Sequence, residues 1–264
     1  MDFTVRNGEC NLYCEKLGEG PLLVLIHGVV CDSDYFRAAA EYLSRNFTVV
    51  TYDRRGYTRS KCSADSDWSV RAQSEDAAAV IRACGSDSAF VVGCSAGGII
   101  ALELARSRPE FVRALMLHEP PVGNTPEYRA ELKAWLFELR ECAEKRRTAK
   151  AMMSFVNRLG GIDPRAPKRS LEEQKRDIMT MPVFLHHEME SFLQYLPEGL
   201  ERIELKMPCT IAMGESDPEG LFHMACEPAA KMLGAKLLHV PGYHNFAADL
   251  PYDFAVAVTG VMFN

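Results

Sequence analysis

Ser95 lies at the centre of Gly93-Cys94-Ser95-Ala96-Gly97, between the apolar run Ala89-Phe90-Val91-Val92 and the Ala- and Leu-rich stretch Gly98-Ile99-Ile100-Ala101-Leu102-Glu103-Leu104-Ala105-Arg106. The run reads as a short buried strand and the stretch as a helix. A serine at such a junction occupies a sharp, strained turn, and glycines flank it because Cβ atoms there would strike neighbouring backbone. The turn lifts the hydroxyl off the strand end and aims the helix N-terminus at whatever the serine attacks. The chemistry this suits is nucleophilic attack by a hydroxyl. The pentapeptide alone is weak evidence; its strand–turn–helix setting makes it specific.

Other reactive side chains suggest less. His186-His187-Glu188 resembles a metal cluster only superficially, because adjacent positions on a helix diverge by ~100° and cannot chelate one ion. No metal site and no cofactor are expected. The chain holds 9 cysteines but no C-x-x-C, and Cys10 and Cys14 stand i, i+4 on an expected strand, too far apart for one metal. With no export signal, the cysteines are expected to be reduced and mostly to pack as small apolar residues. Cys94 and Cys31 flank the candidate site, and Cys94 is expected to be packing.

The elements that must position Ser95 follow from the hydrophobic pattern. Residues 2–17 alternate and turn at Asn7-Gly8, a β-hairpin at a sheet edge. Strands are expected at 22–26, 47–52, 89–92, 113–117, 209–213 and 236–240, with helices at 34–43, 69–83, 98–106, 227–233 and 249–262 between or after them. Strands alternating with helices imply a mostly parallel sheet covered on both faces. The rhythm breaks from Thr125 to about Leu200, which is helical, charged and Met-rich. There, helices are expected at 127–147, 150–159 and 171–196, broken at Gly160-Gly161, Pro164 and Pro167. The division expected is a core of residues 1–121 and 201–264, with 122–200 as an inserted helical cap.

Composition bounds the partners. At 264 residues, with 47% hydrophobic and 25% charged residues, the chain suits one soluble domain with a substantial core. A net charge of −6 disfavours non-specific binding to nucleic acid or anionic membrane. No apolar run approaches the ~18 residues of a membrane span, and the N-terminus lacks a signal-peptide pattern. A cytoplasmic protein is the default expectation.

Five motifs in order resemble the α/β-hydrolase superfamily, over essentially the whole chain. They are His27-Gly28-Val29, Asp53-Arg54-Arg55-Gly56-Tyr57-Thr58-Arg59-Ser60, Gly93-Cys94-Ser95-Ala96-Gly97-Gly98, Gly214-Glu215-Ser216-Asp217, and Pro241-Gly242-Tyr243-His244-Asn245-Phe246. The order serine, acid, histidine is that superfamily's. The resemblance implies an α/β-hydrolase fold with a cap over the site, Ser95 as nucleophile and His244 as its base. It implies Asp217 as the acid that orients the base, with Glu215 a nearby competitor and Glu119 a more distant one. Glu119, in His118-Glu119-Pro120-Pro121, is expected in the pocket floor or bracing the loop that enters the cap. Backbone N–H groups of Ala96 and Val29 would form the oxyanion hole. His27 is expected to brace its loop, and Asp53-Arg54-Arg55-Gly56 to order a rim loop through ion pairs and a glycine turn.

The expected activity is cofactor-independent serine hydrolysis of a small or medium ester, thioester or related acyl bond. Carbon–carbon bond hydrolases, perhydrolases and acyltransferases use the same triad and stay open, as does a receptor-like binding protein on a hydrolase scaffold. Ser95 argues against dehalogenases and epoxide hydrolases, which normally carry aspartate at this position. Apolar cap residues such as Trp135, Phe137, Met152, Phe155, Phe184 and Phe192 favour a small-molecule substrate with an apolar acyl or aryl group.

Overall fold

The computed structural model describes residues 1–63, 65–123, 125–195 and 202–263. Along the chain run β1 (Asp2–Asn7), β2 (Cys10–Leu17), β3 (Leu22–Ile26), α1 (Arg37–Leu43), β4 (Thr48–Tyr52), β5 (Lys61–Cys62), α2 (Val70–Ala83), β6 (Ala89–Cys94), α3 (Ala96–Ser107) and β7 (Val112–His118). After them come α4 (Pro126–Glu144), α5 (Thr148–Arg158), α6 (Leu171–Val183), α7 (Met189–Gln194), β8 (Cys209–Gly214), α8 (Leu221–Leu233), β9 (Lys236–Val240), α9 (Phe246–Asp249) and α10 (Pro251–Phe263). The strands form one mixed sheet in the order β1-β2-β4-β3-β6-β7-β8-β9, with β5 paired to β2. From β4 to β9 every pairing is parallel, while the β1–β2 hairpin closes one edge antiparallel.

Each layer follows from its side chains. All five residues of β3 and all six of β8 are buried, as a strand covered on both faces requires. On one face of the sheet α2, α3 and α8 cover Val24, Val91, Leu115 and Ile211; on the other α1 and α10 cover Leu25, Val92, Met116 and Ala212. Ser69 caps α2 by accepting from the Ala72 N–H. Helix α8 starts at Leu221, earlier than the sequence pattern suggests, and carries Pro228 inside it. Burial of Leu221, Phe222, Ala225 and Cys226 on the core face outweighs the break that a proline signals.

Helices α4 to α7 lie between β7 and β8, as an insertion. Their apolar faces meet the core directly: Tyr128, Trp135, Phe155, Met181 and Phe184 share one cluster with Val29, Ala96, Leu221 and Phe222. A single π-helical turn, Phe184–Glu188, joins α6 to α7. The expected end of the cap, at 200 with its last helix at 196, lies outside the described residues. Among the described residues no helix is long and apolar enough to cross a membrane.

One expectation about sulfur is corrected. Cys10 and Cys62 stand directly opposite each other in the β2–β5 register and form a disulfide. The strand Lys61–Cys62 is only two residues long and carries no periodic signal, so nothing in the sequence pattern placed Cys62 beside Cys10. Seven further cysteines remain thiols, Cys94 buried among them.

The join of β6 to α3 depends on missing side chains. A Cβ on Gly97 would overlap the backbone carbonyls of Ile26 and His27, and one on Gly93 would overlap Gly97. Gly97→Ala is therefore expected to destabilise the fold by about 3 kcal/mol or more, lowering the melting temperature by roughly 6 °C or more. Gly85→Ala has open space around it and meets only the strain of φ +72°, so a loss of about 1 kcal/mol is expected there. Calorimetric melts of the two variants check the contrast.

Candidate active site

Ser95 sits between β6 and α3 with φ 53° and ψ −127°, a conformation L-residues avoid. Two backbone bonds hold it there: its N–H donates to His118 O (2.9 Å), and Gly98 N–H donates to Ser95 O (2.8 Å). The first ties the serine to the last residue of β7, the adjacent strand. Ala96 is the first residue of α3, so its N–H is one of the helix's unpaired donors. On the other side Gly28 comes so close that a Cβ there would stand 3.1 Å from Ser95 Cβ and 3.6 Å from Oγ. The Val29 N–H, next along this loop, donates to no group among the described residues.

His244 follows β9 on the Pro241–His244 loop and is buried. Its Nδ1–H donates to Glu119 Oε2 at 2.6 Å, which leaves Nε2 as the ring's acceptor. The Phe222 ring stacks on the imidazole with centroids 3.9 Å apart. Glu119 has its second oxygen engaged too, with Oε1 accepting from the Gly214 N–H at the end of β8 (3.0 Å). Burial alone would raise this carboxyl, but the His244 hydrogen bond and the neighbouring His118 and His244 rings override it and hold the group down to about 2.

This pairing differs from the expected one. Glu119, not Asp217, is the carboxylate on His244. Asp217 lies beyond β8 beside Gly160 and Gly220, where added Cβ atoms would overlap its carboxylate. It lines a hollow of about 10 Å³, with Glu119, Arg158, Phe222, Tyr243 and His244 also on its walls, but does not reach the imidazole Nδ1. The physical reason is reach. Glutamate, one methylene longer than aspartate, spans from the end of β7 across β8 to the histidine loop, and the Gly214 N–H fixes it there. Glu215, the other competitor, is exposed and stands 3.7 Å from His239. A charged residue ending the buried run Leu115-Met116-Leu117 was the available signal for Glu119.

The rim loop after β4 is organised by ions, as its composition suggests. Asp53 accepts from Arg59 Nε (2.7 Å) and from the Ser33 hydroxyl (2.8 Å), and Arg55 pairs with Asp76 (2.7 Å). Sequence reasoning missed a buried pair between this loop and the insertion: Arg54 Nη1 donates to Glu188 Oε1 at 2.5 Å. The three residues of His186-His187-Glu188 diverge as expected, with His187 stacked on Trp68 (4.3 Å) while Glu188 turns inward.

The sequence profile of the α/β-hydrolase fold matches residues 21–218. This chain belongs to the α/β-hydrolase fold family. It is 28% identical to YraK of Bacillus subtilis (strain 168), an uncharacterised hydrolase, across 92% of this chain and 90% of that one. It is 26% identical to RutD of Azorhizobium caulinodans, whose name proposes carbamate hydrolysis, across 97% of this chain and 96% of the relative. In three dimensions it is similar to a proposed α/β hydrolase from Nostoc sp PCC 7120, with a TM-score of 0.78 at 20% identity, covering 99% of this chain and 97% of the other.

Two buried histidines are expected to make the stability of this α/β hydrolase fall in acid. Burial and the neighbouring Arg54 charge push His27 down to about 3, and burial pushes His118 down to about 4. Unfolding restores both to about 6.5, so below that pH the unfolded chain binds more protons. The stability held by these neutral rings is complete above about 6.5 and is lost as pH falls toward their folded values. Glu119 adds a loss of the same sign at lower pH, between about 4.5 and about 2. For His118 the loss by pH 5 is about 2 kcal/mol, so His118→Leu is expected to lose about that much less than the wild type between pH 7 and pH 5. Urea unfolding at the two pH values measures the difference.

Proposed function

We propose that this chain is a serine hydrolase that cleaves an acyl bond in a small molecule, with Ser95 as nucleophile, His244 as base and Glu119 as the acid that orients it. The observation that carries this is the 2.6 Å hydrogen bond from His244 Nδ1 to the buried Glu119, the residue directly after the strand end that holds the Ser95 N–H. With Nδ1 engaged, Nε2 takes the proton from Ser95 Oγ as oxygen attacks the substrate carbonyl. The tetrahedral oxygen carries the negative charge and accepts hydrogen bonds from the N–H groups of Val29 and Ala96, the donors of an oxyanion hole. Collapse breaks the bond to the leaving group, which takes the proton from His244 Nε2. Water then attacks the acyl-enzyme, giving its proton to the same nitrogen, and collapse returns that proton to Ser95 Oγ as the bond to the acyl group breaks and the acid leaves.

The acyl side is expected to be apolar and uncharged. The cluster that holds Val29 and Ala96 is built from Trp135, Phe155, Phe184, Leu221 and Phe222, which offer no counter-charge to a carboxylate substrate. Esters and carbamates both present a carbonyl to the same attack, and the relative named for carbamate hydrolysis keeps that bond among the substrates to be screened.

A fluorophosphonate is expected to add one equivalent of mass at Ser95, and Ser95→Ala is expected to abolish both the adduct and ester turnover, by about ten-thousand-fold or more. Glu119→Gln is expected to lower kcat by about a thousandfold, whereas Asp217→Asn stays within about threefold of wild type. A larger loss in Asp217→Asn would return the acid role to Asp217. Undiminished turnover in Ser95→Ala would sink the proposal.

A further inference from the structure

The Gly28 carbonyl accepts two hydrogen bonds, from His27 Nδ1 (2.8 Å) and from Arg54 Nη2 (2.8 Å). The His27 tautomer follows from its other nitrogen, Nε2, which accepts from the Arg54 backbone N–H at 3.0 Å and leaves the proton on Nδ1. Arg54 is fully buried, and its guanidinium is shared. Nη1 reaches Gln73 Oε1 (2.5 Å) and Glu188 Oε1 (2.5 Å), and Nη2 also approaches Glu188 Oε2 (3.2 Å). Tyr57 donates its hydroxyl to the same Glu188 oxygen (2.6 Å) and lies under the guanidinium, 4.4 Å from its ring centre. Burial opposes the Arg54 charge, and the Glu188 carboxylate more than offsets that opposition.

The Gly28 carbonyl belongs to the same planar peptide as the Val29 N–H. This peptide is trans, so the two point in opposite directions. Two donors gripping the oxygen therefore fix the direction of the N–H on the far edge. They also draw electron density toward the oxygen and make that N–H a stronger donor. The next residue, Val30, is held at φ 58°, a costly position for a β-branched side chain that only an over-determined loop sustains. A pair needed for stability alone has no reason to spend one arm of the fork on this carbonyl, because apolar side chains of similar volume serve stability as well.

We propose that Arg54, held by Glu188 of the helical insertion, is a positioning residue for the Val29 N–H, so that the oxyanion hole is fully formed only while the insertion is seated. The proposal rests on the serine-hydrolase reading of Ser95, Val29 and Ala96. Glu188 lies 134 residues from Arg54 in sequence and on the π-helical turn between α6 and α7. Any displacement of that turn removes the carboxylate that neutralises Arg54 and frees the guanidinium from its grip on Gly28.

The test compares wild type with Arg54→Lys, which keeps the charge but cannot fork, and with the double variant Arg54→Met/Glu188→Leu, which leaves no unpaired buried charge if the single variant fails to fold. p-Nitrophenyl butyrate reports kcat and KM, and a trifluoromethyl ketone, which forms an oxyanion on Ser95, reports affinity for the tetrahedral state. In both variants kcat and ketone affinity are expected to fall together by about a hundredfold, the loss typical of one oxyanion donor, with KM within about threefold. A folded variant that keeps wild-type kcat and ketone affinity, or raises KM alone, overturns the positioning role. Failure of the underlying reading is separate and visible in the wild type: no ester turnover and no fluorophosphonate adduct on Ser95.

Discussion

Everything at the candidate site depends on how closely α3 approaches the ends of β3 and β6. Gly97 rests on the carbonyls of Ile26 and His27, Gly93 on Gly97, and Gly98 on Pro120, contacts that leave no room for a Cβ. The helix can start so tightly against the sheet only if Ser95 takes up a left-handed backbone. Strain then appears at three neighbouring places: Val30 after β3 at φ 58°, Ser95 after β6 at φ 53°, and Glu119 after β7 at φ 42°. Each such residue costs on the order of 1–3 kcal/mol and persists only where its surroundings over-determine it. Here they do, because Ser95 N–H is bound to His118 O and Glu119 N–H to Ala212 O.

The same strand ends carry the buried charges, and each is completed from far away in the chain. Glu119 finds His244 125 residues later, and Arg54 finds Glu188 134 residues later. A buried ion without its partner is worse than no ion at all. These two pairs therefore penalise any arrangement in which the histidine loop or the insertion is out of place. Tyr57, Gln73 and the Gly28 carbonyl satisfy most of the remaining polar atoms around the second pair, as a buried network requires.

Local physics made the fold readable and long-range reach hid part of the site. The alternation of strands and helices, the β1–β2 hairpin and the Ser95 turn are written in periodicity and glycine spacing. A reader of the sequence can recover them within a few residues. The sequence pattern places helix α8 only at 227–233, whereas the burial of Leu221 and Phe222 decides where it begins. The carboxylate on His244 could not be read in that way. Asp217 and Glu119 both follow strands, and the choice turns on side-chain length and on which oxygen the Gly214 N–H captures. Glu188 was hidden for a similar reason. In His186-His187-Glu188 nothing marks the glutamate as the inward residue, and the π-helical turn places Glu188 in the core.

Ser95 thus stands between two supports of different origin. The Glu119–His244 pair comes from two sheet-end loops and is braced by β8 through Gly214. The side facing Val29 is braced by Arg54, and through it by the inserted helices. Among the described residues the two supports share no side-chain hydrogen bond. On the proposed reading, movement of the insertion loosens the Gly28–Val29 peptide through Arg54, whereas no insertion side chain hydrogen-bonds Glu119 or His244 among the described residues. If Ser95 and His244 act as proposed, a site so divided lets the insertion act on the reaction through the stabilisation of developing negative charge and leaves the readiness of the base to the core.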